Sequence, residues 1–187
     1  MRTMLLGLVM GMVLVAGCSG SKDDYYTSSG EPKWVIRGSG AFTEDGKKVF
    51  YGVGMVSGIA NRALARTTSE NRARAELGKI FRTYSASLMK DYMASTTAGA
   101  MEASSEEQHV EQAIKTFSQV TLSGVMMVDH WVDPSDGTVF SLARLDLDAF
   151  AGALDSMKEL DAKTRDFVRA NAQKSFDALD KEEDRQR

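Results

Sequence analysis

The chain has 187 residues, of which 43% are hydrophobic and 26% are charged, a balance that is typical of a globular domain and not of a disordered chain. Its formal net charge is −3. This weak acidic excess provides no basic stripe for a phosphate backbone, so we expect no nucleic-acid partner. One cysteine excludes an intramolecular disulfide, and two histidines leave little material for a transition-metal site. We expect no cofactor.

The N-terminus has the pattern of an export signal. Arg2 precedes an almost unbroken apolar run over residues 4–15, which is shorter than the ~20 residues of a membrane span and suits a signal peptide. The run ends in Leu14-Val15-Ala16-Gly17-Cys18, which resembles the bacterial lipobox. We therefore predict a signal peptide over residues 1–17, cleavage after Gly17 and attachment of lipid to the Cys18 thiol.

The residue after Cys18 indicates which membrane the lipid enters. In many diderm bacteria an aspartate at this position retains a lipoprotein in the inner membrane, whereas this chain has Ser19. One fatty chain anchors a protein only marginally, but the several chains that such a cysteine acquires hold it firmly. We expect a protein that is anchored by its N-terminal lipid in the outer membrane, on the periplasmic face or at the cell surface.

The mature chain divides by composition into three parts. Residues 18–32 are polar, contain glycine and serine and lack periodicity, so we predict the lipidated cysteine and a flexible tether there. Residues 33–181 are predicted to form one domain. Residues 182–187 are predicted to be a charged tail that frays.

The beginning of this domain is predicted to be rich in strands. Trp34-Val35-Ile36 predicts a strand, and Asp45-Gly46 predicts a turn before a second strand over residues 47–51. Gly52-x-Gly54 with Gly58 is similar to a truncated dinucleotide-binding loop, but the spacing of the third glycine and the acidic residue of a second strand are missing. We interpret these glycines as a strand-to-helix turn that needs positive φ.

A long helix is predicted over residues 60–80. One side of its helical wheel carries mostly small residues that would let it lie close against a sheet: Ala60, Ala63, Leu64, Thr67, Asn71, Ala75 and Gly78. We predict that the amide of Asn71 is buried within this face and hydrogen-bonded, with contact to a ligand as the alternative.

The middle of the chain is less regular. Residues 81–95 fit either a strand or a helix, and we take them as a strand in the predicted order of elements. Residues 96–103 predict a flexible break. A capping box at residues 104–107 predicts the start of another helix. The apolar side of that helix carries Val110, Ile114 and Phe117.

The last third of the domain predicts a hairpin followed by a long helix. Asp133 to Gly137 predicts a turn between strands over residues 120–131 and 138–145. Residues 148–181 predict a helix whose apolar residues are roughly in line: Phe150, Leu154, Met157, Val168, Ala172 and Leu179. The order β-β-α-β-α-β-β-α predicts a single α+β domain, with helices on an antiparallel or mixed sheet and a long C-terminal helix.

Few residues of the domain suggest chemistry. His109 falls on a predicted helix and His130 on a predicted strand beside Asp129, so we interpret both as surface or half-buried histidines and predict no metal site. Asp133 and Asp136 share part of a calcium loop but lack its spacing and its terminal glutamate, so we interpret them as turn residues. The chain has no G-x-S-x-G nucleophile elbow. We predict no catalytic residue and no enzyme.

Several short segments resemble, in order, the twenty-kilodalton outer-membrane lipoprotein (Lpp) family, which includes the FlgP-like flagellar lipoproteins. The resemblance runs from Lys33 to Leu154 and rests on Trp34, Phe50-Tyr51-Gly52-Val53-Gly54, Asn61, Asn71–Leu77, Asp129–Asp133, Gly137–Phe140 and Ser141–Leu145. It implies a compact, non-enzymatic α+β domain that self-associates, with no catalytic residue to carry over. The helix beyond Leu154 departs from the family pattern.

These observations predict a non-catalytic outer-membrane lipoprotein that acts through protein–protein contacts, including self-association, in envelope or flagellar-associated assembly. The alternative is a periplasmic binding module for a small ligand or a cell-wall fragment. A deep apolar pocket with convergent polar groups would favour the binding module. A flat, exposed apolar patch would favour assembly.

Overall fold

The structure is a computed structural model that describes residues 25–96 and 103–186. The predicted signal peptide, Cys18 and the first part of the predicted tether lie outside these residues. The helices and strands, in chain order, are α1 (Lys33–Arg37), β1 (Gly40–Glu44), β2 (Lys47–Val56), α2 (Arg62–Thr96), α3 (Ala103–Ser123), β3 (Met126–Val132), β4 (Val139–Asp146), α4 (Leu147–Ala153) and α5 (Ala162–Gln186).

The four strands form one antiparallel sheet in the order β1-β2-β4-β3. Two hairpins, β1-β2 and β3-β4, therefore lie side by side, and β2 and β4 are the inner strands. The predicted α+β class, the antiparallel sheet and the long C-terminal helix are confirmed. Within the described part of the chain, no helix combines the length and the hydrophobicity of a membrane span.

The main core lies between the sheet and the helices α2 to α5, on what we call the helical face of the sheet. Phe50 on β2 is its centre, with ring centroids 5.5 Å from Phe81, 5.1 Å from Tyr84 and 5.0 Å from Phe176. The hydroxyl of Tyr84, a fully buried residue, donates to the carbonyl oxygen of Ala172 at 3.0 Å, so its burial leaves no unsatisfied donor.

Gly52 and Gly54 let α2 lie directly on β2. A Cβ atom at Gly54 would be 2.2 Å from the carbonyl oxygen of Ser69, and one at Gly52 would be 2.2 Å from that of Ala73. Both glycines lie inside β2, and only Gly58, beyond the strand, has positive φ, at 75°. The predicted turn is therefore wrong for the first two glycines, because close approach of a helix, and not backbone conformation, requires them.

The face of α2 that lies on the sheet differs from the predicted one. The buried residues step along the helix as Ala65, Ser69, Ala73, Leu77 and Phe81, whereas most of the predicted small face is exposed: Ala60, Ala63, Leu64, Thr67, Asn71 and Ala75. The predicted burial of Asn71 is therefore wrong. The prediction failed because small side chains differ little in hydrophobicity between the two sides of the helix. In addition, the predicted helix ended at residue 80, before most of the large residues that continue the buried stripe.

Two predicted strand segments are helical. Trp34-Val35-Ile36 belongs to α1, which follows Pro32 and ends at Gly38 with φ of 77°. Three apolar residues in succession do not distinguish a strand from a buried helical turn. Residues 81–95 are the second half of α2, and their buried residues repeat with the helical period: Phe81, Tyr84, Ser85, Leu88 and Tyr92.

The helix that was predicted after residue 103 is present, and the strand after it is shorter than predicted. Most of the predicted break at residues 96–103, and the side chains of the predicted capping box, lie outside the described part of the structure. Helix α3 is confirmed, and its apolar side packs against the main core: Val110, Ile114 and Phe117. The following strand begins at Met126 and not at residue 120, because α3 continues to Ser123.

The predicted C-terminal helix is divided into α4, a single 3-10 turn at Leu154–Ser156 and α5. Helix α5 begins where the Asp161 carboxylate accepts the backbone N–H of Thr164 at 2.9 Å, an N-terminal cap that interrupts the predicted continuous helix. All six predicted apolar residues nevertheless contact the main core. Residues 182–186, predicted as a tail, continue α5, and the carboxylate of Glu183 accepts the backbone N–H of Ala41 at 2.7 Å.

Candidate functional site

The face of the sheet opposite the helical face, which we call the open face, is covered only in part. Its core is a second apolar cluster, separate from the main one: Trp34, Phe42, Val49, Tyr51 and Leu142. Residues 25–32 and the five-residue helix α1 cross this face from β3 towards β1, and among the described residues none covers the end of β2 at Val53 and Met55.

A shallow groove of about 530 Å³ lies at that uncovered end. Its apolar walls are Val35, Val53, Met55 and Phe140. The side chain of Met55 is 59% exposed, and the ring of Phe140 lies 5.4 Å from that of Trp131, which extends the apolar surface onto β3.

The backbone at the rim of this groove has side-chain partners. Strand β1 pairs with β2 only from Lys47 to Tyr51, so no strand in the described part of the chain lies beside the later residues of β2 on that side. The Ser39 hydroxyl accepts the N–H of Val53 at 2.8 Å, and the Arg72 guanidinium donates to the carbonyl oxygen of Met55 at 2.7 Å. Because these groups occupy the strand edge, the groove is suited to contact through side chains and not to the addition of a strand.

A hydrogen-bonded cluster holds the chain before α1 against β3 at Asp129, which is in register through Leu142 with Val53 of the groove. The indole N–H of Trp34 contacts a carboxylate oxygen of Asp129 at 2.7 Å and the Tyr25 hydroxyl at 3.0 Å, and that hydroxyl also donates to Asp129. Burial, followed by the hydrogen bond to the Asp129 carboxylate, raises the pKa of Tyr25 above its usual range. Two aromatic donors therefore share one carboxylate.

This cluster changes the boundary of the predicted tether. The N–H of Thr27 donates to the carbonyl oxygen of Glu31 at 2.8 Å, and the N–H of Lys33 donates to that of Tyr25 at 3.0 Å. Tyr26 and Pro32 form an isolated antiparallel bridge. Residues 25–32 are therefore part of the folded domain, although their polar composition predicted a tether. The aromatic pair Tyr25-Tyr26 is the signal that distinguishes them from the residues before them.

A cavity of about 350 Å³ lies between α1 and the sheet, next to this cluster. Its lining combines aromatic and charged residues: Tyr25, Lys33, Trp34, Arg37, Glu44 and Tyr51. The Glu44 carboxylate accepts from Arg37 at 2.5 Å and from the Tyr51 hydroxyl at 2.6 Å. Burial, followed by the hydrogen bond to the Glu44 carboxylate, raises the pKa of Tyr51 to about 12. Arg37 and Tyr51 are therefore both bonded to the Glu44 carboxylate.

The two histidines belong to different parts of the domain. His130 Nε2 lies 2.8 Å from the Glu70 carboxylate on α2, whereas His109 Nε2 lies 2.7 Å from the Asp161 carboxylate before α5. The hydrogen bond from Arg66, with a smaller contribution from His130, lowers the pKa of Glu70. In the described residues, no group of three or more histidine, cysteine or acidic side chains is arranged to hold a metal ion.

The predicted calcium-like loop is a hydrogen-bonded turn. The Asp133 carboxylate accepts the N–H of Ser135 at 2.8 Å, and the Asp136 carboxylate accepts the N–H of Thr138 at 2.8 Å. The hydrogen bonds from the Thr138 backbone and hydroxyl lower the pKa of Asp136. These carboxylates therefore organise the β3-β4 hairpin, with Gly137 at φ of 76°.

Comparison with the models of known protein families gives no match, and no curated protein sequence is significantly similar to the chain. Some of the residues that carry the resemblance to the lipoprotein family contact one another in the fold. Trp34 bonds to Asp129, and Gly52 and Gly54 lie against Ala73. The membership of that family stays a prediction.

Proposed function

We propose that this protein is a non-catalytic outer-membrane lipoprotein, anchored by lipid on Cys18, that acts through protein–protein contacts in envelope or flagellar-associated assembly. The lipobox pattern before Cys18 supports the anchor, and Ser19 supports the outer membrane. The resemblance to the Lpp family supports an assembly role with self-association.

The observation that carries the proposed contact is the apolar groove at the uncovered end of the open face. Methionine and aromatic side chains are enriched in the cores of protein interfaces, and here Met55 and Phe140 form a continuous surface with Trp131. Arg72 and Glu76 on α2 add a charged rim to this apolar centre, which is the usual arrangement of an interface.

The cavity beneath α1 favours a second candidate function, the binding of a small ligand or a cell-wall fragment. Its volume of about 350 Å³ falls at the lower end of the range of ligand pockets, ~300–1,000 Å³. However, Arg37 and Tyr51 already donate hydrogen bonds to the Glu44 carboxylate, so a ligand must replace bonds that already exist. For this reason we favour protein contact over ligand binding.

The anchor is tested by Cys18→Ser in cells that are supplied with labelled palmitate. We expect this variant to incorporate no palmitate and to accumulate as a precursor that retains residues 1–17, because the oxygen of serine does not replace the thiol in lipid transfer. Ser21→Ala is the matched control and should be labelled and processed normally. Normal labelling of Cys18→Ser would refute the anchor.

The contact surface is tested by photo-crosslinking in the full chain in its own cells. A photoreactive residue in place of Met55 should give a discrete crosslinked product, in which the protein joined to this chain is a second copy of it or another envelope protein. The same residue at Ala178, which is exposed on α5, is the control and should give no such adduct. Equal adducts at the two positions, or none at Met55, would refute the groove as an interface.

A further inference from the structure

The docking of Tyr25 determines where the chain leaves the domain. Tyr25 bonds to Asp129, and Asp129 lies on β3, the strand at one edge of the sheet. Seven residue steps separate Cys18 from Tyr25, which span at most about 25 Å when fully extended. A lipid on Cys18 therefore keeps Tyr25, and with it the β3 edge at Asp129, within about 25 Å of the bilayer.

This edge carries exposed apolar side chains around the docking point. Tyr25 and Tyr26 are 44% and 43% exposed, and their ring centroids are 5.0 Å apart. Met126 and Val128 on β3 are 55% and 45% exposed. The register shift between Met127 and Asp129 makes Val128 the extra residue of a β-bulge, one position from the carboxylate that holds Tyr25.

The chemistry of these four side chains matches a lipid surface. Tyrosine is enriched at membrane interfaces, where its ring meets the acyl boundary while its hydroxyl stays near polar groups. Methionine and valine add apolar surface that can enter the same boundary. Each side chain contributes little to membrane affinity by itself. A lipid anchor within about 25 Å, however, keeps these side chains close to the bilayer, so that weak contacts are sufficient.

We propose that the edge formed by Tyr25, Tyr26, Met126 and Val128 lies against the membrane that holds the lipid of Cys18. This inference rests on the proposed lipid anchor and adds the orientation of the domain. Met126 is in register, through β4, with Tyr51, whereas Met55 lies four residues further along β2. Met55 is thus about 13 Å further along the strands than Met126, and its strand β2 lies two strands inward from the β3 edge, where Met55 stays accessible to a protein partner.

The orientation is tested with the lipidated full chain in vesicles of phosphatidylethanolamine and phosphatidylglycerol. An environment-sensitive fluorophore is attached to Val128→Cys or, in a second variant, to Met126→Cys. The control is Ala178→Cys on α5, which packs beside β1 at the opposite edge of the sheet. These side chains are exposed, so the substitutions leave the core intact.

We expect the fluorophores on β3 to shift to shorter wavelength and to be quenched by nitroxide lipids several-fold more than the fluorophore at Ala178. Flotation of the protein with the vesicles is measured on the same samples. Protein that floats but shows no difference between β3 and Ala178 would overturn the orientation while leaving the anchor intact. Protein that does not float would overturn the anchor and the orientation together.

Discussion

A methyl group at Gly54 has no room between β2 and α2. Its Cβ would lie 2.2 Å from the Ser69 carbonyl oxygen and 2.2 Å from the Ala73 amide nitrogen, whereas ordinary van der Waals contact begins at 3.4 Å. Both obstacles are backbone atoms of a helix, so no change of side-chain rotamer relieves the overlap. Gly54→Ala must therefore move α2 away from β2 by roughly 1 Å or more in a close-packed interior.

This displacement is costly because the same stretch carries buried contacts. Overpacking of a core costs ~1–3 kcal/mol. The buried hydroxyls of Ser69 and Ser141, 2.6 Å apart, would separate; Ser69 keeps its bond to the Arg66 carbonyl oxygen, but Ser141 would lose this partner at a cost of ~1–3 kcal/mol. The middle of the combined range, ~4 kcal/mol, is a large part of a typical stability of ~5–15 kcal/mol. For a domain of this size it corresponds to a fall in Tm of ~8–16 °C.

The assay is thermal unfolding of the purified protein, followed by far-ultraviolet circular dichroism. Gly152→Ala is the matched control, because Gly152 lies in α4 and a Cβ there has no neighbour within 4 Å. Alanine is the better helix former by ~1 kcal/mol, so this control should melt at the same temperature or slightly higher. An unchanged Tm for Gly54→Ala would refute the close contact between α2 and β2.

Two further predictions concern α2. Asn71→Leu should change the free energy of unfolding by less than ~0.5 kcal/mol because Asn71 is exposed. Ala73→Leu should lower it by ~1–3 kcal/mol or more because the larger side chain is forced against β2. Similar losses for both variants in urea unfolding would contradict the orientation of the helix. The pKa of Glu70 is lower in the folded protein than its ordinary value of 4.5, so the ionised carboxylate stabilises the fold at pH values above 4.5. This stabilisation is lost as the pH falls below 4.5 and through the lowered pKa. Glu70→Gln should therefore show a smaller loss of stability on acidification, and an unaltered pH profile would exclude this role.

Much of the fold follows from local patterns. The β3-β4 hairpin was predicted because Asp133 and Asp136 bond to backbone groups two residues away, which is chemistry internal to the turn. The core residues of the C-terminal region, such as Phe150 and Val168, were predicted because large apolar residues have few alternatives to burial. The break between α4 and α5, where Asp161 caps α5, was not predicted because it is a short interruption of an otherwise helical pattern.

The buried face of α2 could not be obtained in this way. Alanine, serine and threonine occur on both sides of the helix, so its first half has no strong apolar stripe. The pair of glycines on β2 gives space for the helix backbone at Ser69 and Ala73, which lies directly on the strand. The glycines were visible in the sequence, but their role depends on a helix that packs across the strand.

The amino-acid sequence by itself determined the lipobox pattern at Cys18, the α+β class and the separation of apolar from polar segments, because each of these depends on neighbours within one or two turns of chain. The tertiary structure alone decided the candidate surfaces. Asp129 meets Trp34 and Tyr25 across 95 and 104 residues of chain, and this contact brings residues 25–32 onto the domain. The exposure of Met55 likewise depends on α1 being too short to cover the sheet. Contacts at such separations depend on how whole elements pack, which no local pattern encodes.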